Sequence, residues 1–387
     1  MSSSNYQTMG KRMKLLNFIS IHMFSSTPTL LSLSQLFKVR WAESILLTTN
    51  IIMESIIDAH CHPTDAPQEL HLVANLSVGK LIVMGTRPTD QKYVEQLAKE
   101  YPGKVIPSFG IHPWFSYYLY DDLDKDLQSS ETRKKKHYEK ILTPIPDEDF
   151  INALPNPVPI SEFLEDARRH LKQYPNALIG EIGLDKPFRL PVGPYDARSS
   201  LPQGPLSPFY VKMEHQCKVF EAQVRLAAEF QRAVSVHCVQ TYALLYSSLA
   251  KFWDGRWIPS KTKIRKMKKE EYENSLAEER KHYPPKICLH SYSGSIEQIS
   301  QFSAHKVPTE FYYSFSIGIN SRYKNFIQTL KGVPDDKLLA ESDHHSASQI
   351  DELVRQSLNV MSEAKSWTFE DTITKISSNS KAFLKVT

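Results

Sequence analysis

Cysteine is scarce in this chain, with four residues (Cys61, Cys217, Cys238 and Cys288) among 387. None sits in a CxxC pair or a disulfide-framework spacing, which excludes a small stapled scaffold and a Cys-rich structural zinc site. Three lie in or beside apolar, strand-like runs, so all four read as reduced residues, mostly of the core. No run of 18 apolar residues occurs, so no segment carries the signature of a membrane-spanning helix. Acidic residues are nearly missing from the first 53 positions, where Lys11, Arg12, Lys14, Lys38 and Arg40 face only Glu43. Those positions account for the whole formal charge of +4, and residues 54–387 sum to zero. A neutral body exerts no global pull on nucleic acid, so any grip on phosphate has to be local.

The basic, Ser/Thr-rich, acid-poor stretch 1–53 has the composition of a mitochondrial presequence. Yet Met53 is followed at once by Glu-Ser-Ile-Ile-Asp-Ala-His-Cys-His, a clean second start. Two segments are therefore expected: an N-terminal extension, 1–53, that is disordered, targeting or untranslated, and a main domain, 54–387. The expected location is cytoplasmic or nuclear, and mitochondrial if residues 1–53 act as a presequence.

With 41% hydrophobic and 23% charged residues, the main body has a globular composition. From residue 55 onward one pattern repeats: a short β-branched run, a polar residue at its end, then a helix-like segment. Eight apolar runs occupy 55–62, 80–86, 105–112, 178–185, 233–239, 287–293, 311–318 and 338–343. Helical periodicity lies between them, as at 88–101, 161–174, 212–232 and 242–253. Eight such alternations predict an α/β fold, a (β/α)8 TIM barrel, with long inserted loops.

Two long insertions, 114–160 and 186–211, follow strands and should sit on the active face. A third, 254–285, follows a helix and belongs on the opposite face. Its basic residues (Arg256 to Lys269) run into acidic ones (Glu270 to Glu279), which reads as a solvated, internally paired helix.

Asp58-Ala59-His60-Cys61-His62 ends the first run. Residues two apart on a strand share a face, so His60 and His62 can chelate one ion while Cys61 turns away. The ends of runs four, five, six and eight supply Glu181, His237, His290 and Asp343. An ionisable side chain in an apolar run is costly unless paired or ligated. Six of them at the carboxyl ends of strands converge on one mouth. Imidazole and carboxylate donors without thiolate suit two divalent ions such as Mg, Mn or Zn. A pair of ions stabilises the attacking and leaving oxygens of a displacement at phosphorus, with a metal-bound hydroxide as nucleophile. His71, His137, His170, His215, His282 and His305 lack ligand spacing and read as packing or surface residues, whereas His344 and His345 follow Asp343 at the mouth.

At these residues the chain resembles the TatD-like metal-dependent deoxyribonucleases, a branch of the amidohydrolase-like barrels. The resemblance rests on Ile57 to His62, Phe109-Gly110-Ile111-His112-Pro113, Gly180-Glu181-Ile182-Gly183-Leu184-Asp185, Val236-His237, Leu289 to Ser295 and Glu341-Ser342-Asp343. It implies that His60, His62 and Asp343 serve one metal, that His237 and His290 serve the other, and that Glu181 bridges them. Asp343 would orient or deprotonate the water, and His112 would contact the scissile phosphate or support the metal shell. Ser293 and Gly294 would present donors to substrate oxygens, and DNA would be the substrate. Two departures stand out: the strand-five Arg of the family is missing from His237-Cys238-Val239-Gln240, and strand eight ends Ser342-Asp343-His344-His345 instead of Thr-Asp with a nearby Pro. These features are similar to a fungal branch named for interaction with a TPR subunit of the anaphase-promoting complex, which implies a protein partner of that type. Two alternatives stay open: an amidohydrolase-like enzyme on another bond, and a protein-binding scaffold that keeps its metals. A peptide map of the native N-terminus separates the readings: a first peptide at Met53 would mark 1–52 as untranslated or removed, and peptides from 1–52 would establish that segment as translated.

Overall fold

The computed structural model describes residues 53–193, 204–267 and 279–385. Expectations for residues 1–52 and for most of the acidic part of the third insertion lie outside them. Eight strands, β1 (Ile57–Cys61), β2 (Lys80–Met84), β3 (Val105–Phe109), β4 (Leu178–Asp185), β5 (Val234–Val239), β6 (Lys286–Leu289), β7 (Glu310–Phe315) and β8 (Leu338–Ala340), pair in chain order. Every pair in this sheet is parallel. Beyond β8 the chain runs on beside β1: Asp343 N–H donates to the His60 carbonyl at 2.9 Å and His62 N–H to the His344 carbonyl at 2.8 Å. The expected TIM barrel is therefore present and joined at its carboxyl mouth.

Helices fill the connections: α1 (Gln91–Glu100), α2 (Ile160–Gln173), α3 (Met213–Glu229), α4 (Tyr242–Trp253), α5 (Ile296–Phe302), α6 (Phe326–Gly332), α7 (Ile350–Lys365) and a final α8 (Phe369–Leu384). One buried cluster draws residues from seven strands, including Ile57, Ile82, Ile106, Leu178, Tyr312 and Leu339, and Phe383 of α8 packs into it. A cluster fed by that many strands lies in the barrel interior, as a packed core and not a pore. Lys286, buried at the start of β6, donates to the carbonyls of Ala382 and Lys385 and so caps the end of α8.

Runs three, six, seven and eight were expected to extend three or four residues further than the strands do. In the last three the difference has a local cause. Ser291 (φ 39°) and Asp343 (φ 49°) take left-handed backbone, and Ile317–Asn320 coils into a helical turn, so the chain leaves the ladder at the mouth.

The two insertions on the active face pair with each other: Leu142–Thr143 runs antiparallel to Tyr210–Val211. Buried His137 and His215 tie this layer down, their Nε2 atoms 2.9 Å from the Tyr117 carbonyl and 3.0 Å from the Ser116 carbonyl. The third insertion contacts the amino-terminal side, where Ile258 N–H donates to the Lys306 carbonyl and Gln231 reaches the Arg280 carbonyl. The described part of its basic segment holds a short helix, Lys261–Lys266.

Gly183 is the glycine on which the mouth depends most. At φ 152° it pairs with His237, and a Cβ there would lie 1.9 Å from the His237 carbonyl oxygen. Gly183→Ala is therefore expected to lower the melting temperature by roughly 5 °C or more; an unchanged thermal melt would contradict the close approach.

Candidate metal centre

Two strands bring their acid or imidazole groups inward by breaking register. In β1 the core positions are Ile57 and Ala59, so strict alternation would send His60 outward. The β1–β2 pairing shifts between Asp58 and Cys61, and His60 and His62 turn to the mouth. In β4 the pairing with β5 shifts between Ile179 and Ile182, and Glu181, next to the interior-facing Gly180, turns inward. Such irregularities re-aim side chains beside functional sites. Glu181 is further fixed by its N–H, which donates to the Gly85 carbonyl at 2.8 Å.

Glu181 is the centre of the arrangement. Its Oε2 lies 3.3 Å from Nε2 of both His60 and His62. Its Oε1 lies 3.1 Å from His112 Nε2, 3.1 Å from His237 Nδ1 and 2.6 Å from His290 Nε2. Asp343 joins the first half, with Oδ1 at 3.5 Å from His62 Nε2 and 4.0 Å from His60 Nε2. The rings of His60 and His290 stack at 3.8 Å between the halves. One carboxylate thus presents each oxygen to a separate nest of donors, and all six residues expected from the sequence come together.

The surrounding hydrogen bonds set which ring nitrogens are free. His60 Nδ1 lies 2.8 Å from Ser235 Oγ, so it can carry the proton and leave Nε2 open. His237 Nε2 lies 2.9 Å from Asp185, whose carboxylate also accepts from Trp114 Nε1 at 2.7 Å, and Nδ1 is left open. His112 is different. Its Nδ1 accepts from the Trp114 N–H at 3.1 Å, so in the neutral ring Nε2 bears the hydrogen. It could form a ligand group with Glu181 and His237 by distance alone, but this tautomer makes it a donor toward an oxygen.

The electrostatics of the metal-free chain call for cations in both halves. Burial opposes charge on His62, but its bond to Asp343 and the nearby Glu181 charge outweigh that and raise its pKa to about 9. Burial likewise opposes His237, and Asp185 and Glu181 together lift it to about 10. Burial pushes His60 down to about 3 and His112 down to about 4. Burial would raise the two carboxyls, yet the imidazoles hold Glu181 well below its ordinary range, and His62, His290 and His60 hold Asp343 low as well. Burial opposes charge on His290 too, but the charge and hydrogen bond of Glu181 raise its pKa. Imidazoles that favour the charged form thus stand in both halves, where a metal cation would lie.

The groups open onto a cavity of about 330 Å³ lined also by Trp114, Phe115, Arg87, Arg322, Tyr323 and His345. Ser293 lies on its wall, but its N–H already donates to Tyr242 Oη at 3.1 Å and its Oγ pairs with the same oxygen at 3.3 Å. Gly294 lies in the adjacent groove beside Tyr292 and Phe326. Neither joins the six. Cys61 Sγ faces the Ile82 carbonyl and Cys238 Sγ faces Thr241, and no thiolate joins the cluster among the described residues.

Several residues that the sequence reading gave no role support the site. Asp185 and Glu341 stood within the motifs. Glu341 accepts from Ser291 N–H at 2.7 Å, and the single hydroxyl hydrogen of Ser291 is shared between Glu341 Oε1 at 2.9 Å and Asp343 Oδ2 at 2.8 Å. Ser235 stands two residues before His237, on the same face of β5, which was the available signal. Asp65 and Arg87 come from loops without strand periodicity and had none.

A model of the TatD-related DNases matches residues 57–385. The chain belongs to that family. Among curated relatives, an uncharacterized deoxyribonuclease of Saccharomyces cerevisiae is 28% identical over 303 residues, covering 76% of this chain and 84% of its own. Among solved structures, the TatD homologue YjjV of Escherichia coli aligns with a TM-score of 0.51 at 19% identity, over 86% of this chain and 98% of its own. A TatD-family hydrolase of Entamoeba histolytica aligns with a TM-score of 0.52 at 13% identity, over 85% and 97%. These two likenesses concern the fold. As a TatD-family member the chain is a hydrolase, and no helix among its described residues is long and apolar enough to cross a membrane.

In chelator-treated protein at pH 7, nitrogen NMR of the imidazoles is expected to find His62 and His237 protonated and His60 and His112 neutral. Neutral rings throughout would contradict the charge distribution.

Proposed function

We propose that this chain is a phosphodiesterase acting on DNA that uses two divalent cations. The observation that carries the reading is Glu181, one oxygen facing His60, His62 and the nearby Asp343, the other facing His237 and His290. The donor set fits: nitrogen and carboxylate oxygen only, with hydrogen bonds that engage Nδ1 of His60 and Nε2 of His237 and so turn the other ring nitrogen of each toward Glu181. When bound, the two ions supply an ionised water at neutral pH and positive charge for the attacking and leaving oxygens.

The chain's own residues do the rest. Glu181 keeps the two cation positions in register. Asp343 orients the attacking water and takes its proton, and its left-handed backbone is latched by Ser291 on one side and by the His60 carbonyl on the other. His112 donates from Nε2 to a non-bridging phosphate oxygen, because Trp114 N–H has claimed Nδ1. The printed description of the yeast relative as a deoxyribonuclease supports DNA as substrate.

Full-length protein is expected to carry about two divalent ions by elemental analysis and to degrade DNA, with Asp343→Asn slowed by at least roughly 10²-fold. Glu181→Gln should lose both metal and activity. Wild type that holds metal but cuts no faster than either variant would overturn the nuclease reading. Asp185→Asn should weaken metal binding by about 10–100-fold through loss of the His237 hydrogen bond while leaving the melt of the metal-free protein near wild type; equal affinity in a metal titration would contradict that role.

A further inference from the structure

We propose that Arg87 binds a phosphate of the substrate next to the scissile one, with Asp65 as the residue that positions it. This rests on the phosphodiesterase reading above. The cavity has two arginines along its lining. Arg322, in the connection after β7, is exposed. Arg87, just beyond β2, is only 7% exposed, and a guanidinium stays charged wherever it is put. Burying it is costly unless its surroundings are built for it.

They are built for it. Nη2 of Arg87 donates to Asp65 Oδ1 at 3.0 Å, Nη1 donates to Thr86 Oγ1 at 3.1 Å, and Asp90 lies 3.4 Å from Nη1. The guanidinium lies 5.5 Å from the ring centre of Phe115. These contacts fix the group but do not exhaust it. Of five N–H donors, Nε–H is buried with no partner among the described residues.

Both carboxylates draw on Arg87, whose charge offsets the burial of Asp90, and each has further partners of its own. Asp90 already accepts from Thr86 N–H, Thr86 Oγ and Arg87 N–H. Asp65 Oδ2 lies 2.7 Å from His345 Nδ1. Arg87 thus retains a rigid, partly unspent planar fork on the wall of the cavity, the geometry that suits phosphate.

Its place relative to the cluster favours a phosphate other than the one under attack. His345, across Asp65 from Arg87, has its ring 5.6 Å from that of His62. Arg87 is therefore one carboxylate removed from the wall that carries His62, and the phosphate under attack belongs at Glu181. A neighbouring phosphate is the group that reaches Arg87. Among the described residues, the cavity wall at Cys238 and Val239 offers no competing cation.

The test uses metal-loaded, full-length protein with a single-stranded oligonucleotide. For Arg87→Met the slope of log affinity against log salt should fall in magnitude by about one. Its KM should rise about tenfold or more, with a smaller change in kcat. Arg87→Lys should keep the salt slope. If Arg87→Met matches wild type in slope and KM, the inference is wrong. Should that variant fail to fold, the Arg87 Nε–H resonance of wild type, assigned by its loss in Arg87→Lys, is followed as a hydrolysis-resistant phosphorothioate oligonucleotide is added. A shift supports the contact and an unmoved resonance overturns it. Wild-type hydrolysis of bis(4-nitrophenyl) phosphate tests the diesterase reading separately, since its single phosphate has no neighbour.

Discussion

Glu181 has five imidazoles within 3.3 Å, and the rest of the mouth is arranged around that crowding. One carboxylate carries one negative charge, and burial removes the water that would otherwise share the work of solvating it. Five neutral rings cannot all donate to it, and five charged rings would repel one another. The metal-free chain meets the conflict by giving protons to His62 and His237 and withholding them from His60 and His112. Positive charge is thereby wanted at two places, one beside each oxygen of the same carboxylate.

Holding so many polar groups inward requires departures from regular structure. Register breaks in β1 and β4 redirect His60, His62 and Glu181, and left-handed residues at Ser291 and Asp343 end two further strands. Each left-handed residue costs on the order of 1–2 kcal/mol. Their mutual hydrogen bond and the buried Glu341 beneath them hold the geometry. The closed barrel below, filled by aliphatic side chains and Tyr312, and capped by α8, supplies the stability from which this strain is drawn.

The fold was legible because its signal is repeated. Eight apolar runs alternating with helical ones name a barrel even when single boundaries err. The six convergent residues were legible because each is an ionisable group where an apolar one is expected, at the same end of each strand. Strand ends were overestimated because residues such as Ser291 and Asp343 look like strand continuations and turn out of the ladder. Arg87 was not legible at all: it lies in a turn after β2, and its meaning comes from Asp65, 22 residues earlier, and from Phe115 beyond β3. The orientation of His112 was likewise set by a backbone N–H, to which side-chain identity gives no clue.

The central claim is that the two oxygens of Glu181 face two cation positions. Crystals of the full-length protein grown with Mn²⁺ and measured for anomalous scattering test it most directly. The account predicts two peaks about 3.5–4 Å apart, one beside each Glu181 oxygen, with His60, His62 and Asp343 around the first and His237 and His290 around the second. A single peak, or a pair of peaks with Glu181 touching neither, would contradict it.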